Sequence, residues 1–100
     1  MTIVYITCKD GKEARKISMH LLKKRLIACA NIFPIKSMYW WQGKIVNGRE
    51  TAIFAKANGK NFDKIVKEVE KMHSYRIPCI VKLGGKPSKK YESWANSEIG

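Results

Sequence analysis

Residues 26–45 read LIACANIFPIKSMYWWQGKI and decide the fold of this chain. They join a long β-prone run to a tryptophan pair, and Asn47-Gly48 follows just beyond them. An Asn-Gly pair favours the type I′ hairpin turn, because both central residues of that turn adopt positive φ. The sequence therefore predicts a long hairpin that turns at Asn47-Gly48. Such an arm carries more apolar surface than one small domain can cover, which predicts self-association.

The predicted turn sets the register of the hairpin. With a turn at 47–48 and no bulge, Trp41 would face Phe54 across the two strands. Gly43 could be a bulge that disturbs this register. Pro34 has no N–H to donate to a β-ladder, so we expect it on an edge strand or at a bulge.

The rest of the chain alternates between strand-like and helix-like periodicity. β-branched and aromatic runs indicate strands, and apolar residues at helical spacing with lysines opposite them indicate helices. Asn61 is the predicted N-cap of the second helix. The predicted strands are 2–8, 27–45, 49–57 and 77–83, and the predicted helices are 12–26, 61–72 and a short last one that opens at Pro87-Ser88.

The element order βαββαβ with a terminal helix predicts an α+β fold of the ferredoxin-like kind. Two split βαβ halves would form one four-stranded antiparallel sheet with both main helices on the same face. The last helix is too short to cover the other face, so apolar side chains would stay exposed there in a single subunit. We expect one domain over residues 1–100 and association of subunits through the uncovered face.

The composition is that of an ordinary globular protein, with 45% hydrophobic and 28% charged residues. The sequence shows neither a signal-peptide pattern nor an apolar run of bilayer length. Cys8, Cys29 and Cys79 cannot all pair within one chain, and their spacing matches no zinc or CxxC motif. We therefore expect reduced thiols in a cytoplasmic protein with no membrane partner.

Lysine and arginine exceed aspartate and glutamate by 20 to 8, which gives a formal net charge of +12. The second predicted helix places Lys60, Lys64, Lys67 and Lys71 along one stripe. Since no nucleic-acid-binding motif accompanies them, we expect a solvated face and no sequence-specific nucleic-acid partner, and weak, salt-sensitive binding to polyanions such as DNA or heparin is a third hypothesis. No Ser-His-Asp set can be placed and no glycine-rich phosphate loop is present, so we predict no catalysis.

The chain resembles the divalent-cation-tolerance proteins of the CutA family over nearly its whole length. Residues 25–32, RLIACANI, resemble the family segment RLAACVNI. Matches to the family segment S-x-Y-x-W-x-G-K-I and to later family positions are Ser37, Tyr39, Trp41, Gly43, Lys44, Ile45, Lys56, His73, Tyr75, Pro78, Tyr91 and Trp94. The resemblance implies a ferredoxin-like fold, a homotrimer similar to the PII signalling proteins, and a link to copper and other divalent cations.

The chain departs from the family pattern after the second helix. The family segment H-P-Y-E-x-P-E is replaced by HSYRIPC at 73–79, which exchanges two carboxylates for Arg76 and Cys79. On the resemblance we name Cys29, His73 and Cys79 as candidate metal ligands, since thiolate and imidazole suit copper and zinc better than calcium or magnesium. Each has a structural alternative: the cysteines as packing residues, and His73 as a helix C-terminal residue favoured by the helix dipole.

A second hypothesis treats the trimer as a PII-like signalling module that binds a small ligand or a protein in clefts between subunits. Its candidate anion contacts are Lys36, Lys44, Lys56 and Tyr75. Trp40 and Trp41 point to opposite faces of a strand, so we expect at most one of them on a given surface. Subunit packing is their expected use, because aromatic residues concentrate in interface cores.

Overall fold

The computed structural model describes all residues 1–100, which form four strands and three α-helices. The strands are β1 (Thr2–Cys8), β2 (Cys29–Trp41), β3 (Lys44–Ala57) and β4 (Ile80–Gly84), and the helices are α1 (Gly11–Lys23), α2 (Phe62–Met72) and α3 (Lys89–Glu98). All strand pairs are antiparallel, in the spatial order β2-β3-β1-β4. The predicted ferredoxin-like α+β fold is therefore confirmed. No helix has the length and apolar character needed to cross a membrane.

The β2–β3 hairpin turns at Gln42-Gly43, and the predicted turn at Asn47-Gly48 is wrong. Both observed turn residues have positive φ, 50° at Gln42 and 78° at Gly43, as a type I′ turn requires. Asn47 and Gly48 lie within β3 instead. Gly43 is therefore a turn residue and not the predicted bulge.

The strand register explains why the turn lies at this position. Trp41 faces Lys44 rather than Phe54, and every residue of β2 has a partner on β3. A turn at 47–48 would place the last residue of β3 opposite Met38, so residues 29–37 would lose their partners. Backbone groups without partners cost free energy, and pairing along the whole hairpin outweighs the local preference of Asn-Gly.

Several smaller features either differ from the prediction or agree with it. α1 ends at Lys23, three residues earlier than predicted, because Arg25 adopts a left-handed backbone with a φ of 57°. β4 begins at Ile80, three residues later than predicted, beyond Pro78. Asn61 precedes α2 as predicted, but its side chain makes no capping hydrogen bond. Pro34 lies on β2, an edge strand, which confirms that prediction.

Both main helices pack on one face of the sheet. At the start of α1, the Asp10 side chain accepts a hydrogen bond from Glu13 N at 2.9 Å and so caps the helix. Alternate residues of the strands point towards the helices and are fully buried there. The resulting core comprises Val4, Ile6, Cys8, Ala14, Ile17, Leu21, Ile27, Ile53, Ala55, Ala57, Ile65 and Val69.

The other face of the sheet, which we call the open face, remains largely uncovered. Rings of Tyr5, Phe33 and Phe54 meet edge to face there, with centroids 5.6 Å and 5.4 Å apart. Further large side chains on this face are 42% to 48% exposed: Tyr39, Trp41, Val81 and Leu83. The predicted uncovered apolar face is therefore present in the single subunit.

The position of the hairpin turn can be tested with two glycine substitutions. We expect Gly43→Ala to lower the free energy of unfolding by about 1 kcal/mol, because a Cβ is strained at a φ of 78°. Gly48→Ala is the matched control, since Gly48 lies within β3 and a Cβ there would meet nothing within 4 Å. Urea denaturation measures both. A larger loss for Gly48→Ala would contradict the observed register.

Candidate metal and ligand sites

His73 directly follows α2, and its buried side chain uses both ring nitrogens. Nδ1 accepts a hydrogen bond from Tyr75 N at 3.0 Å, so Nε2 carries the proton and donates to Thr7 O at 2.8 Å. A neutral imidazole has one donor and one acceptor nitrogen, and both are engaged here. Ligation of a metal by His73 would therefore require the ring to release the main chain of Tyr75.

Cys8, Glu13 and His73 form a buried cluster whose sulfur, carboxylate and ring nitrogen lie within 4.8 Å of one another. Burial, and then the Glu13 carboxylate, raises the pKa of the Cys8 thiol to about 12, whereas a metal ligand must be a thiolate. The Glu13 carboxylate already accepts hydrogen bonds from Lys9 N at 3.0 Å and Ser74 N at 2.8 Å. The cluster does not fit a metal ion. It ties the segment after α2 to β1 and α1.

The sequence patterns did not predict the buried role of Glu13. Burial by itself would raise the pKa of Glu13, but hydrogen bonds from Lys9 and Ser74 outweigh burial, and the net pKa is lowered. The charged carboxylate lies 4.0 Å from His73 Nδ1. The only local signal is its spacing from Asp10, which indicates helix capping. Its contact with Ser74 spans 61 positions, so no local pattern could have revealed it.

Cys29 begins β2, and its half-buried thiol lies in a polar cluster at one end of the open face. Lys56 Nζ is 3.9 Å from the sulfur and also contacts Oδ1 of Asn31. Burial, and then a hydrogen bond with Cys29, raises the pKa of Tyr91 on α3. The thiol can serve as a soft ligand only if the Lys56 ammonium moves away, because it would repel a bound cation.

Cys79 is exposed, so it is not a packing residue within one subunit. It borders a cleft of about 720 Å³ between the hairpin and the segment after α2. In this cleft the Tyr75 hydroxyl donates a hydrogen bond to Glu50 Oε2 at 2.7 Å. Burial, and then this bond, raises the pKa of Tyr75 and keeps the phenol protonated. Lys36 and Arg76 add two cations to the aromatic lining.

The structure brings only two of the three predicted metal ligands to the same end of the sheet. The main chain of Thr7 accepts a hydrogen bond from His73 and donates one, at 3.3 Å, to Cys79 O. Cys29 pairs with Lys56, which in turn faces Ile3. Because Ile3 and Thr7 are four residues apart, roughly 13 Å along a strand, Cys29 and Cys79 lie too far apart to share an ion within one subunit.

The candidate anion contacts are also divided between locations. Lys36 and Tyr75 border the cleft, whereas Lys44 follows the hairpin turn and Lys56 lies beside Cys29. Both Trp40 and Trp41 border the cleft, although the alternation of side chains along a strand predicts at most one of them on a given surface. Two-stranded ribbons twist strongly, so side chains from both faces of the arm can line one concavity.

A comparison of the two histidines tests the structural role of the buried cluster. We expect His73→Ala to lower the free energy of unfolding by about 2–4 kcal/mol, because buried polar groups lose their partners. Urea denaturation with a chelator present excludes any effect of bound metal. His20→Ala is the control: His20 is 34% exposed and bonds only Glu68, so we expect a loss below about 1 kcal/mol. An equally small loss of stability in both variants would contradict the structural role of His73.

Comparison with known proteins connects this fold and these residues to one family. Residues 2–98 match the family model of the CutA1 divalent ion tolerance protein. The divalent-cation tolerance protein CutA of Archaeoglobus fulgidus is 48% identical over 77 residues, covering 77% of this chain and 76% of that protein. The solved structure of the periplasmic divalent cation tolerance protein CutA from Archaeoglobus fulgidus superposes with a TM-score of 0.96 at 39% identity, covering 100% of both chains.

The names of relatives point to different cellular locations. The Archaeoglobus fulgidus structure is named periplasmic. A rice relative named chloroplastic is 30% identical over 94 residues, covering 92% of this chain and 53% of that protein. Location therefore varies among relatives, whereas sequence similarity and fold agree throughout. The chain belongs to the CutA1 family of divalent ion tolerance proteins.

Proposed function

We propose that the chain acts in divalent-cation tolerance as a non-enzymatic homotrimer that binds copper, with residues 1–100 forming one domain. The observation that carries the proposal is the open face, an apolar sheet surface that a single subunit leaves exposed. Family membership supports the role of a divalent cation. The proposed location is the cytoplasm, because all three cysteines are free thiols, as in a reducing compartment.

The hairpin extends the apolar surface beyond the body of the subunit. β1 ends at Cys8 opposite Thr51, so the part of the hairpin beyond this pair has no third strand beside it. On this arm the side chain of Trp40 is 72% exposed and that of Ile45 is 57% exposed. It also gives a radius of gyration of 14.0 Å, compared with about 13 Å for a compact domain of this size. Packing the arm against a neighbouring subunit would bury these side chains.

A closed trimer would bring different ends of neighbouring subunits together. Cyclic assemblies with more than two members use head-to-tail contacts, in which one patch meets a different patch of the next subunit. Cys29 lies at one end of the sheet, and His73 and Cys79 lie at the other end. We therefore place the copper site between subunits, with soft thiolate donors from two chains. Copper affinity would then depend on assembly.

The cleft beside the hairpin supports a second candidate function. Its volume of about 720 Å³ lies in the range of small-molecule sites, and it combines aromatic side chains with Lys36 and Arg76. Its only carboxylate, that of Glu50, is already engaged by Tyr75. This arrangement suits a flat anionic ligand such as a nucleotide. A PII-like signalling trimer without a physiological metal is therefore the alternative.

The mass of the particle tests the assembly. By light scattering we expect a mass near three times 11.5 kDa for the wild-type protein. Val81→Glu should give single subunits at low concentration, because a carboxylate on the open face would have to be desolvated in the interface. Met19→Glu is the matched control, since Met19 is 41% exposed on α1 and Val81 is 43% exposed. A wild-type mass near that of one chain would contradict the trimer.

Copper titration by calorimetry tests the ligands. We expect Cys29→Ser and Cys79→Ser each to lower the affinity roughly tenfold or more, because hydroxyl oxygen is a poor substitute for thiolate at copper. Cys8→Ala is the control and should leave affinity unchanged, since Cys8 is buried and protonated. Unchanged copper affinity in both serine variants would show that neither Cys29 nor Cys79 is a ligand. Thermal stabilisation by a nucleotide but not by copper would instead favour the cleft hypothesis.

A further inference from the structure

The outer surface of α1 and α2 lies on the opposite side of the sheet from the open face. Assembly through the open face would therefore leave this helical surface in contact with solvent. Between the end of α1 and the middle of α2 is a shallow groove of about 190 Å³. We call its cationic lining the lysine cluster, which comprises Lys24, Lys64, Lys67 and Lys71.

The lysine cluster carries more positive charge than its surroundings neutralise. Glu68 is the only carboxylate of the groove, so four lysines exceed the acidic groups by three charges. Hydrogen bonds from His20 at 2.7 Å, Lys24 at 3.0 Å and Lys71 at 3.1 Å hold Glu68 in place. These bonds lower the pKa of Glu68 to about 2, so it stays charged.

Two members of the cluster are available for an external partner. Lys64 and Lys67 are exposed and form no ion pair within the chain, in contrast to Lys24 and Lys71, which hold Glu68. The groove is open to solvent, so it cannot enclose a small anion. Its positive charges come from α2 and from the end of α1, and this spread suits an elongated anion. The remaining lining residue is Leu26, and no aromatic side chain is present.

We propose that the lysine cluster binds the phosphate backbone of a nucleic-acid duplex without reading its sequence. A single strand would need aromatic surfaces on which its bases can stack, and the groove offers none. A duplex stacks its own bases and presents phosphates outward, so lysines alone can hold it. The net charge of +12 adds long-range attraction to such a polyanion. The inference is independent of metal binding and of the trimer.

The binding should depend strongly on salt. If Lys64 and Lys67, the two lysines without an internal partner, each neutralise one phosphate, the logarithm of the affinity falls with the logarithm of salt concentration with a slope of about −1.8. The affinity should then drop roughly tenfold between 50 mM and 200 mM salt. Fluorescence anisotropy with a 20-bp DNA duplex of arbitrary sequence measures both quantities. A slope near zero would overturn the assignment of these two lysines as phosphate contacts.

Charge reversal separates the lysine cluster from the charge of the whole protein. The double variant Lys64→Glu/Lys67→Glu should weaken duplex binding roughly 20-fold or more at 50 mM salt. The control Lys89→Glu/Lys90→Glu also changes two exposed lysines, so both variants fall from +12 to +8, because each substitution removes two charges. We expect less than about a threefold loss for the control. Equal losses in both variants would overturn the proposal.

Removal of the central carboxylate should strengthen duplex binding rather than weaken it. A variant that failed to fold could not give this result. Glu68→Gln should raise duplex affinity roughly fivefold, because Lys24 and Lys71 lose their internal partner and become available. Unchanged or weaker binding would contradict the proposed groove. A 20-nucleotide single strand and inorganic polyphosphate complete the test. Tighter binding of either one than of the duplex would overturn the choice of partner.

Discussion

The antiparallel pairing of β2 with β3 is the interaction on which the rest of the structure depends. It runs through all of β2, from Cys29 to Trp41, whereas β1 is only seven residues long. The hairpin therefore projects beyond the part of the sheet that β1 supports. Its main chain is satisfied by its own ladder, but its apolar side chains are not covered within the subunit. The uncovered arm and the cleft beside it both result from this difference in strand length.

The two sides of the subunit differ in polarity: the helical side presents lysines to solvent, and the open face presents apolar side chains. The side facing α1 and α2 forms the buried core, and the outer surfaces of these helices are rich in lysine. The open face carries a group of aromatic and aliphatic side chains. Apolar surface favours contact with another subunit, whereas a basic surface remains hydrated and attracts anions. Assembly and polyanion binding can therefore occupy separate sides of one small chain.

The buried Cys8, Glu13 and His73 cluster shows that proximity of donor atoms does not by itself make a metal site. Its atoms are close enough for one ion, but the thiol is protonated, and the carboxylate and the ring are committed to main-chain partners. The remaining thiols lie at opposite ends of the sheet. A single subunit of this protein thus contains soft donors without a complete site, and this is why the proposed copper site lies between chains.

Local sequence patterns determined the order of elements, the ferredoxin-like fold, the uncovered face and the family, because periodicity and residue size act between near neighbours. The same patterns gave the wrong hairpin turn, since Asn47-Gly48 is a good turn locally but leaves much of β2 unpaired. Only the tertiary structure decided that His73 is engaged by Thr7 and Tyr75, and that Lys24 meets the lysines of α2. Register, protonation and charge clustering depend on groups that are distant along the chain, so they are set when the strands and helices pack.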